Sequence, residues 1–310
     1  MNTAIDRRGF LKCSGIAALA IAIARPDTLI GGERDTGSKP GDLDFVFFTD
    51  THIQPELRAD EGCRKCFRQI AELHPAFAIC GGDLVFDAAA VPRKRAGQLF
   101  DLYQQAEDLL GVPIYHTIGN HDVVGVFSRS GVSPTEPGYG KQMFEQRIGH
   151  SYYSFNRNGY HFIVLDSIFL TGDREWEARI DPGQLQWLAQ DLAGIDRQTP
   201  IIAVSHVPLA TSFNSYQAPD GKVRQKPTLV VTNAFEVLAL LAPYRLIAVL
   251  QGHIHINEVV SYGEIQFITS GAVCGNWWRG PRWNSPEGFS VISLRSGTLI
   301  HRYETYGWKA

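Results

Sequence analysis

The chain has 310 residues, of which 44% are hydrophobic, and its formal net charge at pH 7 is −3. Only 20% of the residues are charged, which excludes a disordered chain and leaves enough apolar sequence for a full hydrophobic core. The nearly neutral charge balance also excludes a strongly basic surface of the kind that coats nucleic acid.

The first 24 residues have the pattern of an export signal. Arg7 and Arg8 precede an apolar run that ends in a small-residue cleavage site, Ala22-Ile23-Ala24. The paired arginines resemble the twin-arginine signal, although Asp6 stands where Ser or Thr is usual. The apolar run is shorter than the ~20 residues of a membrane-spanning helix. We therefore predict a twin-arginine-type signal peptide at 1–24, a flexible lead-in at 25–41, and export by the twin-arginine machinery to a periplasmic or extracellular location without a stable membrane anchor.

From residue 42 to residue 310, short apolar runs alternate with helical patterns in one predicted domain. Strands at 44–50, 76–83 and 112–122 enclose helices at 61–73 and 93–110, an order typical of a parallel sheet covered by helices. The later predicted elements are a hairpin at 151–166 that turns at Asn158-Gly159, helices at 184–192 and 233–242, strands at 200–209, 246–255 and 265–273, and a final hairpin at 289–306. Irregular loop insertions are predicted near 123–150 and 210–230.

The cysteines are not arranged as a zinc site. Cys63 and Cys66 form a single C-x-x-C pair, which in an exported protein fits a local disulfide, a redox pair or half a zinc site. No second pair exists, and we favour two thiols on one helical turn. Cys80 and Cys274 lie in apolar stretches and are expected in the core.

Polar side chains follow five of the apolar runs at the point where each run ends. These residues are Asp50 and His52, Asp83, Asn120 with His121 and Asp122, His206, and His253 with His255. Each is unremarkable alone, but ligands of open α/β sheets gather at the carboxyl ends of strands. Carboxylate, amide and imidazole donors suit divalent Mn, Fe, Zn or Co. Without His121 and Asp122, seven of these nine residues remain as candidate ligands, which exceed one tetrahedral site and fit two metal ions ~3.5–4 Å apart, with Asp83 as the best candidate bridge.

The order of these motifs resembles the calcineurin-like metallophosphoesterase superfamily. Outside the motifs, the stretches 161–188 and 271–281 resemble its exported, cyclic-nucleotide-phosphodiesterase-like bacterial branch. The matching motifs are Asp50-Thr51-His52, Gly82-Asp83, Gly119-Asn120-His121-Asp122, His206 and Gly252-His253-Ile254-His255, between about residues 44 and 274. The resemblance implies an α/β fold, a four-layer αββα sandwich of two mixed sheets flanked by helices. It implies one metal ion bound by Asp50, His52 and His255, and a second bound by Asn120, His206 and His253, with Asp83 bridging. It also implies hydrolysis of phosphate esters by in-line attack of a metal-bound hydroxide, with His121 as general acid.

The segment after Asp83 departs from two branches of the superfamily. Ser/Thr protein phosphatases read G-D-x-x-D-R-G, whereas Phe86 occupies the position of the second aspartate here and no arginine follows Asp87. The carboxylate that would orient His121 is therefore open between Asp87 and Asp122. The departure argues against a protein phosphatase, and the lack of a tyrosine in this motif argues against a purple acid phosphatase.

The predicted substrates are small-molecule phosphodiesters such as cyclic nucleotides, and the alternatives are an exported phosphomonoesterase and a non-catalytic, metal-stabilised binding module. A nuclease is disfavoured because no basic stripe follows the chain. Candidate aromatic contacts to substrate are Tyr139, Tyr153, Tyr216, Trp277 and Trp278, and Arg279 is a candidate phosphate contact. The alternative for all of them is that they only pack the loops or lie at the surface.

Overall fold

The computed structural model describes residues 39–216 and 227–310, which belong to one compact unit. The predicted signal peptide at 1–24, most of the lead-in at 25–41 and part of the loop at 210–230 lie outside the described residues, as does the side chain of Tyr216. Within the described ranges, no helix combines the length and the apolar character needed to cross a membrane.

The strands and helices alternate along much of the chain. The strands are β1 (Leu43–Phe48), β2 (Ala78–Cys80), β3 (Ile114–His116), β4 (Tyr153–Arg157), β5 (Tyr160–Leu165), β6 (Ile168–Leu170), β7 (Trp176–Ala178), β8 (Pro200–Ser205), β9 (Arg245–Gln251), β10 (Glu258–Tyr262), β11 (Ile265–Thr269), β12 (Gly288–Arg295) and β13 (Thr298–Thr305). The α-helices are α1 (Ala59–Glu72), α2 (Arg93–Glu107), α3 (Gln142–Arg147), α4 (Pro182–Ala193), α5 (Phe213–Tyr216) and α6 (Ala234–Leu241).

Two mixed sheets form the centre of the fold. The first has the order β13-β12-β1-β2-β3, in which β1, β2 and β3 are parallel and β12 and β13 are antiparallel additions. The second has the order β10-β11-β9-β8-β5-β4, with parallel β11, β9, β8 and β5 between antiparallel edge strands. A separate short hairpin joins β6 to β7.

The alternation of side chains along β1 shows how the layers are held. Phe45 and Phe47 point into a core between the two sheets, while Val46 and Phe48 belong to the core that includes the helices. Phe45 stacks on Phe77 with ring centroids 4.8 Å apart. Because the two faces of one strand serve two different cores, the chain has the four layers αββα. The predicted fold class is confirmed.

Most predicted elements are present, with differences in the irregular segments. The hairpin turn at Asn158-Gly159 is confirmed, with positive φ of 51° and 78° as this turn type requires. The β6–β7 hairpin and strand β10 were not predicted, because their short, mixed sequences carry no clear alternation. Cys63 and Cys66 are buried free thiols on α1, as favoured from the sequence.

Candidate metal centre

The candidate ligands follow five strands whose carboxyl ends meet at one edge of the two sheets. Asp50 and His52 follow β1, Asp83 follows β2, Asn120 follows β3, His206 follows β8, and His253 and His255 follow β9. Both sets of strands are parallel neighbours within their sheets, so the turns after them lie side by side. All seven residues predicted as ligands come together at this edge.

The backbone at this edge is strained. Five of the seven candidate ligands have left-handed φ: Asp50 at 56°, His52 at 40°, Asp83 at 53°, His253 at 71° and His255 at 58°. Such conformations cost non-glycine residues about 1–3 kcal/mol each and persist only where surrounding contacts hold them. Here the turns hold one another, because His52 N–H donates to Asp83 O at 3.0 Å and Asp50 N–H donates to Gly82 O at 2.9 Å.

One half of the centre is formed by Asp50, His52 and His255. His255 Nε2 lies 3.2 Å from His52 Nε2 and 3.2 Å from Asp50 Oδ1. His52 Nε2 is 3.8 Å from the same Asp50 oxygen. Three donor atoms therefore face a common point in a fully buried position.

The other half is formed by His206, Asn120 and His253. His206 Nε2 lies 3.3 Å from Asn120 Oδ1, and the ring of His206 packs at 71° against that of His253 with centroids 5.1 Å apart. One donor atom each of Asp83, His206 and His253 lies within 4.8 Å of the others, a spacing suited to a metal ion.

Asp83 lies between the two halves. Its Oδ2 is 3.5 Å from His52 Nε2 and 3.2 Å from His206 Nε2, so a single oxygen faces both sets of donors. Its Oδ1 instead accepts the backbone N–H of His121 at 2.7 Å. The carboxylate thus has the position expected for a bridge, but it would bridge through one oxygen rather than by sharing two.

Three imidazole rings are oriented by backbone carbonyl groups on their far sides. The pairs are His206 Nδ1 with Gly81 O at 2.8 Å, His253 Nε2 with Thr228 O at 2.8 Å, and His255 Nδ1 with Gly275 O at 2.6 Å. A carbonyl oxygen can only accept, so each of these ring nitrogens carries the proton and the other nitrogen presents a lone pair. Rings that bind metals are fixed in this way in proteins. The donor set and its tautomers therefore fit a site for two divalent cations.

The electrostatics of the cluster favour positive charge between the carboxylates of Asp50 and Asp83. Burial opposes a charged ring at His206, but Asp83 outweighs it and raises the pKa of His206 to about 9. Burial and the charge of His206 lower the pKa of His253 to about 4. Despite burial, His255 and His206 lower the pKa of Asp50. A cation at this point would therefore be stabilised by two ionised carboxylates.

Asp122 does not contact the catalytic candidate His121 through its carboxylate. Asp122 Oδ1 accepts the N–H groups of Leu84 at 2.8 Å and Val85 at 3.2 Å, and Oδ2 accepts that of Gly119 at 2.9 Å. Burial and the nearby Asp83 raise the pKa of Asp122 to about 8, although these hydrogen bonds act in the opposite direction. These contacts tie the turn after β2 to the turn after β3 and are those of a structural residue, in contrast to the catalytic role predicted from the sequence.

His121 lies beside the centre, and Asp87 is the carboxylate that faces it. The ring of His121 is perpendicular to that of His52, with centroids 4.6 Å apart. His121 Nδ1 is 3.5 Å from Asp87 Oδ1, and the side chain of His121 is 23% exposed. Of the two carboxylates left open by the sequence, the geometry favours Asp87.

Aromatic side chains border both halves of the centre. Trp277 lies 4.8 Å from His255, Trp176 lies 5.9 Å from His253, and Phe86 stacks on His121 at 6.3 Å, all measured between ring centroids. Trp176 was missed by the sequence analysis, because it lies in the unpredicted β6–β7 hairpin.

The other predicted substrate contacts whose side chains the structure describes pack into the fold or lie at the surface. Trp278 is 2% exposed, and Tyr153 donates its hydroxyl to His116 O at 3.1 Å in the interior. Tyr139 lies beneath the guanidinium of Arg174, 6.0 Å from ring centroid to Cζ. Arg279 is exposed on the same turn as Trp277.

Comparison with known proteins gives the same assignment as the site. A family model for calcineurin-like phosphoesterases matches residues 43–257. The chain is 26% identical over 251 residues to the serine/threonine-protein phosphatase CPPED1 of Mus musculus, a match that covers 80% of this chain and 73% of the relative.

Solved structures share the fold. The crystal structure of a dimetal phosphatase from Danio rerio has a TM-score of 0.63 and 16% identity, covering 86% of this chain and 97% of that one. Purple acid phosphatase PPD1 from yellow lupin seeds has a TM-score of 0.58 and 14% identity, covering 86% of this chain and 52% of that one. The chain therefore belongs to the calcineurin-like phosphoesterase family, whose members are hydrolases of phosphoric esters that depend on a dinuclear metal centre.

Proposed function

We propose that the chain hydrolyses small-molecule phosphate esters at two divalent metal ions, with phosphomonoesters as its main substrates. The observation that carries the proposal is the position of Asp83 Oδ2, which lies 3.5 Å from His52 Nε2 in one half of the centre and 3.2 Å from His206 Nε2 in the other, with the ring of His121 beside that of His52. Asp50, His52 and His255 would hold one ion, Asn120, His206 and His253 would hold the other, and Asp83 would bridge them.

The protein's own groups set up the reaction. Divalent ions in such a centre neutralise the charge of the phosphate and acidify the attacking water. The three imidazole rings held by backbone carbonyl groups would present fixed lone pairs to the ions. His121 would deliver a proton to the departing oxygen. Asp87 Oδ1, 3.5 Å from His121 Nδ1, does not hydrogen-bond that nitrogen in this structure but is the carboxylate placed to orient the ring.

Monoesters are favoured by the names of the relatives. The mouse relative, aligned over 80% of this chain, and the fish structural neighbour are both called phosphatases. The mouse relative acts, by its name, on phosphorylated serine or threonine of proteins. We do not extend that substrate to this chain, because Phe86 replaces the second aspartate of the protein phosphatase motif.

Phosphodiesters such as cyclic nucleotides are the second candidate. Trp176 and Trp277 border opposite halves of the centre, and such flat apolar surfaces suit a nucleoside beside the scissile phosphate. In addition, no Lys or Arg side chain of the described residues forms an ion pair with Asp50 or Asp83, and a diester carries less charge to neutralise than a monoester.

The deciding experiment compares p-nitrophenyl phosphate with bis(p-nitrophenyl) phosphate, using protein that has been stripped by chelation and reloaded with Mn. A higher kcat/KM for the monoester is expected. Preference for the diester would replace the proposal by the second candidate and make cyclic nucleotides the next substrates. If the metal-loaded protein hydrolyses neither of these compounds, nor a phosphoserine peptide, the result would favour a metal-stabilised binding module.

The role of His121 is tested by its dependence on the leaving group. In His121→Ala, hydrolysis of an alkyl phosphate should fall about 10²–10⁴-fold, while that of p-nitrophenyl phosphate, which needs little proton transfer, should fall much less. Metal content should be unchanged, and loss of metal would exclude the proton-donor role. Asp87→Asn should also slow hydrolysis of the alkyl phosphate more than that of p-nitrophenyl phosphate, but by a smaller factor than His121→Ala. It should also shift the pH profile of kcat. Asp83→Ala should empty at least one metal site.

Export remains a proposal that rests on residues 1–24 alone. A fusion of these residues to a reporter should reach the periplasm of a bacterium that has the twin-arginine machinery. Replacing Arg7 and Arg8 with Lys should retain the reporter in the cytoplasm.

A further inference from the structure

The segment after β11 brings a strained turn to the metal centre. Trp277 and Trp278 have consecutive left-handed φ of 50° and 66°, and Gly275 before them has 55°. Two bulky residues in succession in this conformation cost about 1–3 kcal/mol each, and strain of this kind is concentrated at functional sites. The turn is joined directly to a candidate ligand, because Gly275 O accepts the ring N–H of His255.

Trp278 anchors this turn in the core. Its Nε1–H donates to Thr51 O at 3.1 Å and His52 O at 3.2 Å, and its ring packs where Gly62 leaves room on α1. With Trp278 fixed in the core, Trp277 is held half-buried at the edge of the centre, 6.2 Å from the ring of His52.

Arg282 lies on Trp277 with most of its donors unused. Its Cζ is 5.3 Å from the centroid of the Trp277 ring. Nη1 reaches Asn276 Oδ1 only at 3.4 Å, and Nε is buried with no hydrogen-bond partner among the described residues. Within residues 39–216 and 227–310, no carboxylate forms an ion pair with it, whereas Arg95 and Arg147 each have one.

We propose that Arg282, supported by Trp277, binds a second anionic group of the substrate while the scissile phosphate lies at the metal centre. A guanidinium presents a planar pair of N–H groups that matches a carboxylate or a phosphate, and its attraction to an aromatic face strengthens when water is excluded. An anion would bind the terminal Nη groups, for which the described residues supply only Asn276 Oδ1 at 3.4 Å, while the buried Nε is out of its reach. This inference rests on the proposed function and deepens it: the preferred substrates are phosphate esters that carry a further carboxylate or phosphate.

The test uses phosphonates, which cannot be hydrolysed, with the metal-loaded full chain. Propylphosphonate has no second anion, 3-phosphonopropionate adds a carboxylate, and propane-1,3-diphosphonate adds a second phosphonate. Calorimetry measures the Kd of each for the wild type, Arg282→Gln, Arg282→Lys and Arg279→Gln. Arg279 is the matched control because it is exposed on the same loop. Metal content and unfolding temperature are recorded for every variant.

In the wild type, at least one of the two doubly anionic probes should bind tenfold or more tightly than propylphosphonate, a gain of about 1.4 kcal/mol that one hydrogen-bonded charge pair can supply. The probe that gains identifies the second group as carboxylate or phosphate. Arg282→Gln should abolish the gain without weakening propylphosphonate, Arg282→Lys should keep part of it, and Arg279→Gln should keep all of it.

Equal affinity for the three probes in the wild type, or equal losses in Arg279→Gln and Arg282→Gln, would overturn the proposal. Hydrolysis of p-nitrophenyl phosphate by the wild type is measured in parallel. If hydrolysis is absent and the gain in binding remains, the proposed function fails but the anion subsite stands.

Discussion

Replacing Trp278 by Phe should weaken metal binding although the substitution changes none of the candidate ligands. Trp278 Nε1–H donates to the carbonyl oxygens of Thr51 and His52, at 3.1 and 3.2 Å. Thr51 O also accepts the S–H of Cys63 at 3.8 Å, whereas His52 O has no other donor among the described residues. Phenylalanine keeps an aromatic ring in the core but has no N–H. The backbone of His52, strained at φ 40°, then loses a contact that restrains it.

The size of the effect follows from the contacts that are lost. Leaving a buried carbonyl without a donor costs about 1–3 kcal/mol. Removing a group that supports a metal ligand from behind typically lowers metal affinity about 10–100-fold. We expect both effects in Trp278→Phe, together with the loss of packing from the smaller ring.

Trp308 provides the control for packing. It is 9% exposed and meets Trp278 edge to face, with ring centroids 5.5 Å apart. Its buried Nε1 has no hydrogen-bond partner among the described residues, so Trp308→Phe removes a similar volume and no hydrogen bond. Trp278→Phe should therefore be about 1–3 kcal/mol less stable than Trp308→Phe in urea unfolding.

Calorimetric titration of the chelated proteins with Mn completes the test. Trp278→Phe should bind at least tenfold more weakly than the wild type, and Trp308→Phe should bind within about threefold of it. Equal metal affinity in the two variants would refute the reasoning, because packing alone would then account for whatever change is seen.

Two further predictions concern the space around the ligands and the coupling of metal to stability. Gly119→Ala should abolish metal binding at the bridging position, since a Cβ there would lie 2.2 Å from Asp83 Oδ1. Gly97→Ala is the control: Gly97 lies within α2, a Cβ there would lie 3.6 Å from Arg147 Nη2, and the variant should bind metal normally and gain about 0.5–1 kcal/mol of stability. Normal metal content in Gly119→Ala would contradict the position of the bridge. Chelation should lower the unfolding temperature reversibly, because an ion at 1,000 times its Kd stabilises the folded state by about 4 kcal/mol, and an unchanged midpoint would exclude a structural role for the ions.

The sequence predicted which residues would converge, because the carboxyl ends of parallel strands must share an edge. It did not predict how each side chain is turned at that edge. Asp122 lies two residues after the candidate ligand Asn120 and is predicted from the sequence to be catalytic, yet its carboxylate accepts the N–H groups of Leu84, Val85 and Gly119. Side-chain direction in a loop depends on which backbone donors lie nearby, and only the assembled turns supply them.

Arg282, the residue of the proposed anion site, illustrates a different limit of the sequence. It stands between Pro281 and Trp283 and resembles any surface arginine, while Arg279 adjoins the tryptophan pair and is the phosphate contact that the sequence predicts. The choice between them depends on Trp278, whose anchoring beneath His52 and beside Gly62 fixes the direction in which Trp277 faces. A short sequence pattern around Arg282 cannot predict this contact, because α1 and the turn after β11 are far apart in the sequence.

Two of the three glycines that directly precede candidate ligands, Gly119 and Gly252, also determine where the carboxylates lie. A Cβ at Gly119 would meet Asp83, and a Cβ at Gly252 would lie 2.2 Å from Thr49 Oγ1 and 2.8 Å from Asp50 Oδ2. Neither glycine has a positive φ, so backbone freedom does not explain them. Each leaves the space that a carboxylate from a neighbouring turn occupies, and His253 N–H then donates to Asp50 Oδ2 at 3.0 Å. The positions of both carboxylates are therefore determined by the absence of a side chain on the adjacent strand end as much as by the strands that carry them.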